Sequence, residues 1–170
     1  MAKCFPWHTT GLRYTLIFGC EMLNSSLVRM AFYDGSDGPR LMLFGPLEVD
    51  LISLQTCFHD LAKDGGIDSI QLDQLPWIHT AEGVKVRLLS CDLKDEFPKR
   101  DPTFCFRKIA TSSNSYEWKQ TKEGWQFLGD LIQGLLDSKT PCHQYLSSYP
   151  SDDAIVVVSK GEYTDNVLED

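Results

Sequence analysis

Several signals are missing from this 170-residue sequence, and each absence excludes a class of protein. No apolar run approaches the roughly 20 residues that a membrane-spanning helix requires, so the sequence predicts no membrane span. It contains no glycine-rich phosphate loop, dinucleotide-binding glycine pattern or G-x-S-x-G nucleophile turn. No two cysteines form the C-x-x-C spacing that begins many structural zinc sites. We therefore expect neither a bound metal nor a cofactor.

Basic residues are also scarce. Sixteen lysines and arginines stand against 24 aspartates and glutamates, which gives a formal net charge of −8. The nucleic-acid backbone and anionic lipids repel such a chain, so we expect no direct binding to nucleic acid or membranes. A solubilising acidic surface is the simpler interpretation of this charge. The alternative is a surface that attracts a basic protein partner.

The N-terminal region lacks the continuous apolar core of a signal peptide. Residues 12–20 are partly apolar, but Arg13 interrupts them and Glu21 follows them. Without export, we expect a cytoplasmic protein. Its six cysteines would then remain free thiols in a reducing compartment.

The apolar pattern predicts one α+β domain over residues 1–170, with a mostly antiparallel sheet and two helices. The predicted order is β-β-β-α-β-β-β-β-α-β-β, in which a meander followed by a helix occurs twice. The charged segment 92–102, which contains two prolines, is predicted to be an exposed loop. The strands are predicted at residues 12–19, 27–33, 40–44, 67–72, 84–88, 104–107, 116–120, 142–146 and 155–163.

Both predicted helices have recognisable ends. Asp50 is a suitable N-cap for the first helix, and Gly65-Gly66 is a suitable end for it. Thr121 is predicted to cap the second helix, over residues 122–138, although Trp118 also fits the helical spacing. The buried stripe of the first helix is predicted to contain Leu51, Leu54, Phe58 and Leu61.

Candidate contact residues for a protein partner come from predicted turns and loops. Most are acidic and would attract a basic surface. Trp77 follows Pro76 in a connecting segment, where an exposed indole could anchor an interface. The complete set is Asp34, Asp37, Trp77, Asp95, Glu96, Asp152 and Asp153.

Enzymatic alternatives require residues that are distant in the sequence. Cys142 and His143 are neighbours, but adjacent strand residues point to opposite faces of a sheet. Cys142 could instead pair with His59 or His79 in a small hydrolase or transferase, while a buried structural cysteine is the simpler interpretation. An oligomeric regulatory module is a further alternative.

The C-terminal third carries a resemblance to a known class of proteins. A tryptophan-containing helix precedes His143-Gln144-Tyr145-Leu146 and a strand that ends in Ser159-Lys160-Gly161-Glu162-Tyr163. In this arrangement, and in its acidity, the chain resembles immunity proteins encoded beside bacterial polymorphic or contact-dependent toxins. The resemblance implies a non-enzymatic inhibitor that covers the active site of a cognate toxin, such as a basic nuclease. It carries over no catalytic residues.

Overall fold

The computed structural model describes residues 28–35, 38–45, 48–91, 105–110, 114–147 and 153–163. These residues contain nine strands and two helices, which confirms the α+β class. The predicted strand at 12–19 and the predicted loop at 92–102 lie outside them. The strands are β1 (Val28–Gly35), β2 (Gly38–Gly45), β3 (Ser69–Gln71), β4 (Ile78–Thr80), β5 (Lys85–Ser90), β6 (Cys105–Lys108), β7 (Ser115–Gln120), β8 (Cys142–Ser147) and β9 (Ile155–Lys160). The helices are α1 (Glu48–Ala62) and α2 (Lys122–Asp137).

The described strands form two mixed sheets. One has five strands in the order β4-β1-β2-β9-β8, and the other has four in the order β3-β5-β7-β6. Antiparallel pairs are β1–β2, β3–β5, β6–β7 and β8–β9. The parallel pairs, β1–β4, β2–β9 and β5–β7, join strands that are far apart in the chain. Local sequence patterns do not indicate such pairs.

Three details differ from the sequence-based predictions. The short strand β4 was not predicted, because it has only three residues and is held largely by parallel pairing with β1. The predicted strand at 67–72 is shorter, since a 3-10 turn begins at Leu72. The prediction for Asp50 is wrong: α1 begins at Glu48, so Asp50 lies within its first turn and is not the N-cap.

The predicted start of α2 and the predicted end of β7 are confirmed. The Thr121 side chain caps α2 by accepting a hydrogen bond from the Gly124 amide at 3.0 Å. Trp118 belongs to β7 and not to the helix. Neither described helix is long and apolar enough to cross a membrane.

The fold contains two copies of one ββαββ unit. The first is β1-β2-α1-β3-β5 and the second is β6-β7-α2-β8-β9, with β4 inserted in the first copy. Each sheet joins the hairpin of one copy to the last two strands of the other, through the parallel pairs β2–β9 and β5–β7. The units have therefore exchanged strands across the middle of the molecule.

The repeat extends to individual residues. Leu51, Leu54, Phe58 and Leu61 of α1 are buried at the same spacing as Trp125, Leu128, Ile132 and Leu135 of α2. Equivalent backbone hydrogen bonds also lie at the ends of the parallel pairs β2–β9 and β5–β7. The amide after β9, Gly161, donates to Gly45 at 3.1 Å, and the amide after β5, Cys91, donates to Gln120 at 2.9 Å.

One large apolar core joins both helices to both sheets. At its centre the Trp118 and Trp125 rings lie 5.2 Å apart and are both in contact with Phe58, at 5.6 and 5.1 Å. The Trp125 indole donates a hydrogen bond to the Leu89 carbonyl at 3.0 Å. Such aromatic pairs add to the stability that burial provides.

The helices pack side by side and antiparallel. The Gln55 side chain of α1 donates to the Gly129 carbonyl at 3.1 Å and to Gln133 Oε1 at 3.0 Å. Gln55 and Gly129 occupy equivalent positions of the two units, so the pseudo-twofold axis passes between them. A Cβ atom at Gly129 would overlap the imidazole of His59 as it is placed here, so any side chain at this position would displace that ring.

A lysine closes the C-terminal end of α2. The last carbonyls of a helix have no partner within the helix and carry partial negative charge. Lys160 Nζ donates to the carbonyls of Leu135, Leu136 and Ser138 at 3.2, 3.1 and 2.8 Å. This contact ties β9 to the helix layer.

We expect Lys160→Met to lower the free energy of unfolding by about 1–2 kcal/mol, because several helix carbonyls lose a charged donor. Urea denaturation followed by circular dichroism measures the change. Lys63→Met is the matched control, since Lys63 is exposed and pairs with Asp60 on the surface; it should change stability by less than about 0.5 kcal/mol. Equal effects of the two substitutions would contradict the capping role.

We expect Gln120→Met to raise the free energy of unfolding by about 1 kcal/mol. Gln120 is fully buried, and neither polar atom of its amide has a hydrogen-bond partner. Methionine has a similar shape and places no such groups in the core. The exposed Gln74 provides the control substitution, Gln74→Met. A loss of stability in Gln120→Met alone would show that the amide stabilises the fold.

Candidate functional site

One concavity among the described residues lies on the outer surface of the helix pair. It is a groove of about 410 Å³ where the end of α1 meets the beginning of α2. Because the helices are antiparallel, Asp64 after α1 lies beside Lys122 at the start of α2, with their charged atoms 3.0 Å apart. The lining also includes Glu123, Gln126, Phe127 and Asp130.

The groove exposes an aromatic ring on the polar side of an amphipathic helix. Trp125 and Leu128 face the core, whereas Phe127 leaves 49% of its surface exposed. Glu123, Phe127 and Asp130 are spaced by four and three residues, so they lie along one face of α2. A phenyl ring therefore stands between two carboxylates. Phe127 was not among the predicted contact residues, although a large apolar residue between acidic ones at this spacing indicates an exposed ring on a polar helix face.

The rim of the groove is acidic. Its carboxylates belong to Asp64, Glu123 and Asp130, and Lys122 provides its one lysine. Asp130 accepts a hydrogen bond from Gln126 at 3.0 Å and lies 3.5 Å from His59 Nε2. The second contact does not have hydrogen-bond geometry, and His59 Nε2 is buried without a hydrogen-bond partner. Negative charge dominates the rim.

Three of the predicted contact residues are among the described residues, and two of these come together. Asp34 is exposed at the end of β1, and Asp153 is exposed just before β9. Burial raises the pKa of the Tyr116 hydroxyl, and the nearby carboxylates of Asp153 and Asp34 raise it further. Both aspartates therefore lie near the same tyrosine. Asp37, Asp95, Glu96 and Asp152 lie outside the described residues.

Asp153 and Trp77 also have structural contacts. The Asp153 carboxylate accepts from the Lys108 amide at 2.7 Å, and its own amide donates to Phe106 at 2.9 Å. Trp77 is half-buried against the main core, and its carbonyl accepts from the Val28 amide at 3.0 Å. Packing accounts for these positions, and their contact with a partner stays a prediction.

The structure separates Cys142 from one of its proposed histidine partners. Cys142 lies on β8 and His79 on β4, at opposite edges of the five-stranded sheet. Four strand spacings separate them, or roughly 19 Å. The other proposed partner, His59, is held between the helices against Gly129. The adjacent His143 is 2.5 Å from Glu162, measured from Nδ1 to Oε2.

Cys57 illustrates how the fold suppresses thiol chemistry. Burial, with a smaller contribution from Asp60, raises the pKa of its thiol from 9.0 to about 11. The reactive thiolate is correspondingly rare at neutral pH. Among the described residues, no group of three or more His, Cys, Asp or Glu side chains is arranged to hold a metal ion.

We expect iodoacetamide to modify Cys57 at pH 8 roughly 100-fold more slowly in the folded protein than in urea, the factor that two pKa units imply. The rate in the folded protein should rise about tenfold per pH unit below its pKa, because only the thiolate reacts. Peptide mass spectrometry of timed samples measures modification at this residue. Equal rates in the folded and unfolded chains would instead identify a reactive thiol.

Comparison with known proteins gives no relative for this chain: no protein-family model, no curated protein and no solved structure matches it. Its function must therefore be inferred from its own surface and charge.

Proposed function

We propose that this protein is a non-enzymatic inhibitor that binds a cognate basic protein and covers its active site. In this proposal it is a bacterial immunity protein, and it acts in the cytoplasm on a toxin domain such as a nuclease. The observation that carries the proposal is the half-exposed Phe127 in an acid-rimmed groove. The partner is a protein, and neither nucleic acid nor membrane is bound.

Phe127 has the properties of an interface anchor. Interfaces gain most of their affinity from a few aromatic and arginine residues that become fully desolvated at their centre. Since about half of this side chain is already buried, covering the remainder would contribute about 1 kcal/mol. An arginine of the partner over the ring would add about 0.5–2 kcal/mol through a cation–π contact.

The charge of the rim favours a basic partner. Asp64, Glu123 and Asp130 surround the ring in a chain whose net charge is −8. Complementary charge raises the association rate and suppresses binding of wrong partners. A nuclease is a suitable target, because the cleft that receives a phosphate backbone is itself basic. An acidic surface placed over that cleft would exclude the substrate.

The test is affinity capture from a lysate of the native host with the tagged wild-type protein and two variants, at about 0.05 M and about 0.5 M salt. We expect the wild type to retain one basic protein in stoichiometric amount, and less of it at high salt. Phe127→Ser should retain at least about tenfold less, because it removes the anchor. Serine is already present at the equivalent position of α1, Ser53.

Ile52→Ser is the matched control. Ile52 is as exposed as Phe127 but belongs to α1, near the other end of the helix pair. It should leave capture unchanged. Equal losses in both variants would show that general surface hydrophobicity and not the groove is responsible. An association rate with the captured protein that does not depend on salt would contradict the electrostatic part of the proposal.

A further inference from the structure

The outer face of α2 carries a repeat of seven residues. Five exposed residues, spaced alternately by four and three positions, form a line opposite the core-facing stripe of the helix. Carboxylates occupy one position of the repeat, at Glu123, Asp130 and Asp137, while Phe127 and Gly134 occupy the other. This line, which we call the outer stripe, runs about 21 Å along the helix.

A repeated hydrogen bond orients two of the carboxylates of the outer stripe. Gln126 donates to Asp130 at 3.0 Å, and Gln133 donates to Asp137 at 2.9 Å, so the second pair lies seven residues after the first. An ionised carboxylate has about four acceptor sites, and each aspartate therefore keeps acceptors for a partner. The stripe presents oriented negative charges at intervals of about 10 Å.

Gly134 differs from the other glycines of α2. A Cβ atom at Gly124 would lie 2.8 Å from Gln120 Oε1, and one at Gly129 would overlap the His59 ring. At Gly134 a Cβ atom would meet no atom of the described residues within 4 Å. Glycine inside a helix is destabilising relative to alanine, and packing against these residues does not offset that loss. A partner that approaches the helix backbone closely would account for it.

The ring and the glycine of the outer stripe belong to α2 alone. The positions of α1 that are equivalent to Phe127 and Gly134 hold Ser53 and Asp60. The repeated architecture therefore requires neither residue. Helix α1 provides an internal comparison for substitutions on the outer stripe.

We propose that the outer stripe docks a basic amphipathic helix of the partner protein. This inference rests on the proposed function and specifies which part of the partner enters the site. Basic side chains at one heptad position of the partner helix would face Glu123, Asp130 and Asp137. A large apolar side chain at the other position would lie over Gly134, and Phe127 would fit between successive side chains of the partner.

The spacing of the charges favours a helix over an extended segment. Side chains on one face of a helix recur every seven residues at about 10 Å, which is the interval between the carboxylates. Side chains on one face of a strand recur at roughly 7 Å and lose register with the carboxylates. The missing side chain at Gly134 lets two helix axes approach to about 8 Å, the short end of the range for packed helices.

The test is binding of two synthetic peptides of about three heptads each, measured by fluorescence anisotropy at about 0.05 M salt. The first has arginine and leucine at the two alternating core positions and alanine or glutamine elsewhere. The second has the same composition in a shuffled order without the repeat. We expect the wild-type protein to bind the first peptide at least about tenfold more tightly than the second, because both carry the same charge and differ in pattern alone.

Gly134→Gln separates docking from folding. It should raise the urea midpoint of unfolding, because glutamine is the better helix former. It should also weaken binding of the first peptide at least about tenfold, because its side chain fills the space that a close approach needs. Thr56→Gln, at an exposed position of α1, is the matched control and should change the affinity by less than about threefold.

Three outcomes would overturn the proposal. The first is a heptad peptide that binds no more tightly than its shuffled form, which would indicate that charge alone is recognised. The second is a Gly134→Gln variant with a lower urea midpoint, which would show that the fold itself needs this glycine. The third is a basic protein captured from the host that wild type and Gly134→Gln retain equally, a result that would leave the inhibitor proposal standing.

Discussion

The close contact between α1 and α2 at Gly129 is the constraint on which the rest of the structure depends. Because Gly129 has no side chain, the His59 ring can occupy the space beside it, and Gln55 can reach its carbonyl. The helices then lie close enough for Phe58 to contact both Trp118 and Trp125. Through this aromatic group the helix layer reaches the four-stranded sheet, and through Lys160 it reaches the five-stranded one.

The positions at which the two ββαββ units differ show which features belong to one unit alone. The buried stripes of α1 and α2 match in position, as the shared core requires. Two differences lie at the surface and at the end of an element. Phe127 corresponds to Ser53, and Lys160, which caps α2, corresponds to Ser90. The exposed ring of the groove is therefore a property of one unit, and the repeated architecture does not require it.

Much of the fold could be predicted from the sequence where local chemistry determines it. Thr121 fixes the start of α2 because its hydroxyl reaches the Gly124 amide, and alternation identified the antiparallel pair β6–β7. The parallel pairs could not be predicted, since they depend on strand exchange between distant segments. The Asp50 prediction failed because a capping residue type can also occur in the first turn of a helix. Of the candidate site, the acidity was evident from composition. The groove itself was not, because it requires the antiparallel contact of two helices.

The exchange of strands between the two units has a consequence for the order in which the chain can fold during synthesis. β1 and β2 leave the ribosome as a hairpin, but the inner neighbour of β2 is β9, close to the end of the described chain. Until β9 is made, one edge of β2 has no partner. The residues of β2 that are buried in the complete fold, Leu41, Met42, Leu43 and Phe44, then lack the contacts that β9 provides. Completion of the five-stranded sheet is therefore a late step. A nascent chain that pauses after α2 exposes an unpaired strand edge, which can pair with other chains and aggregate.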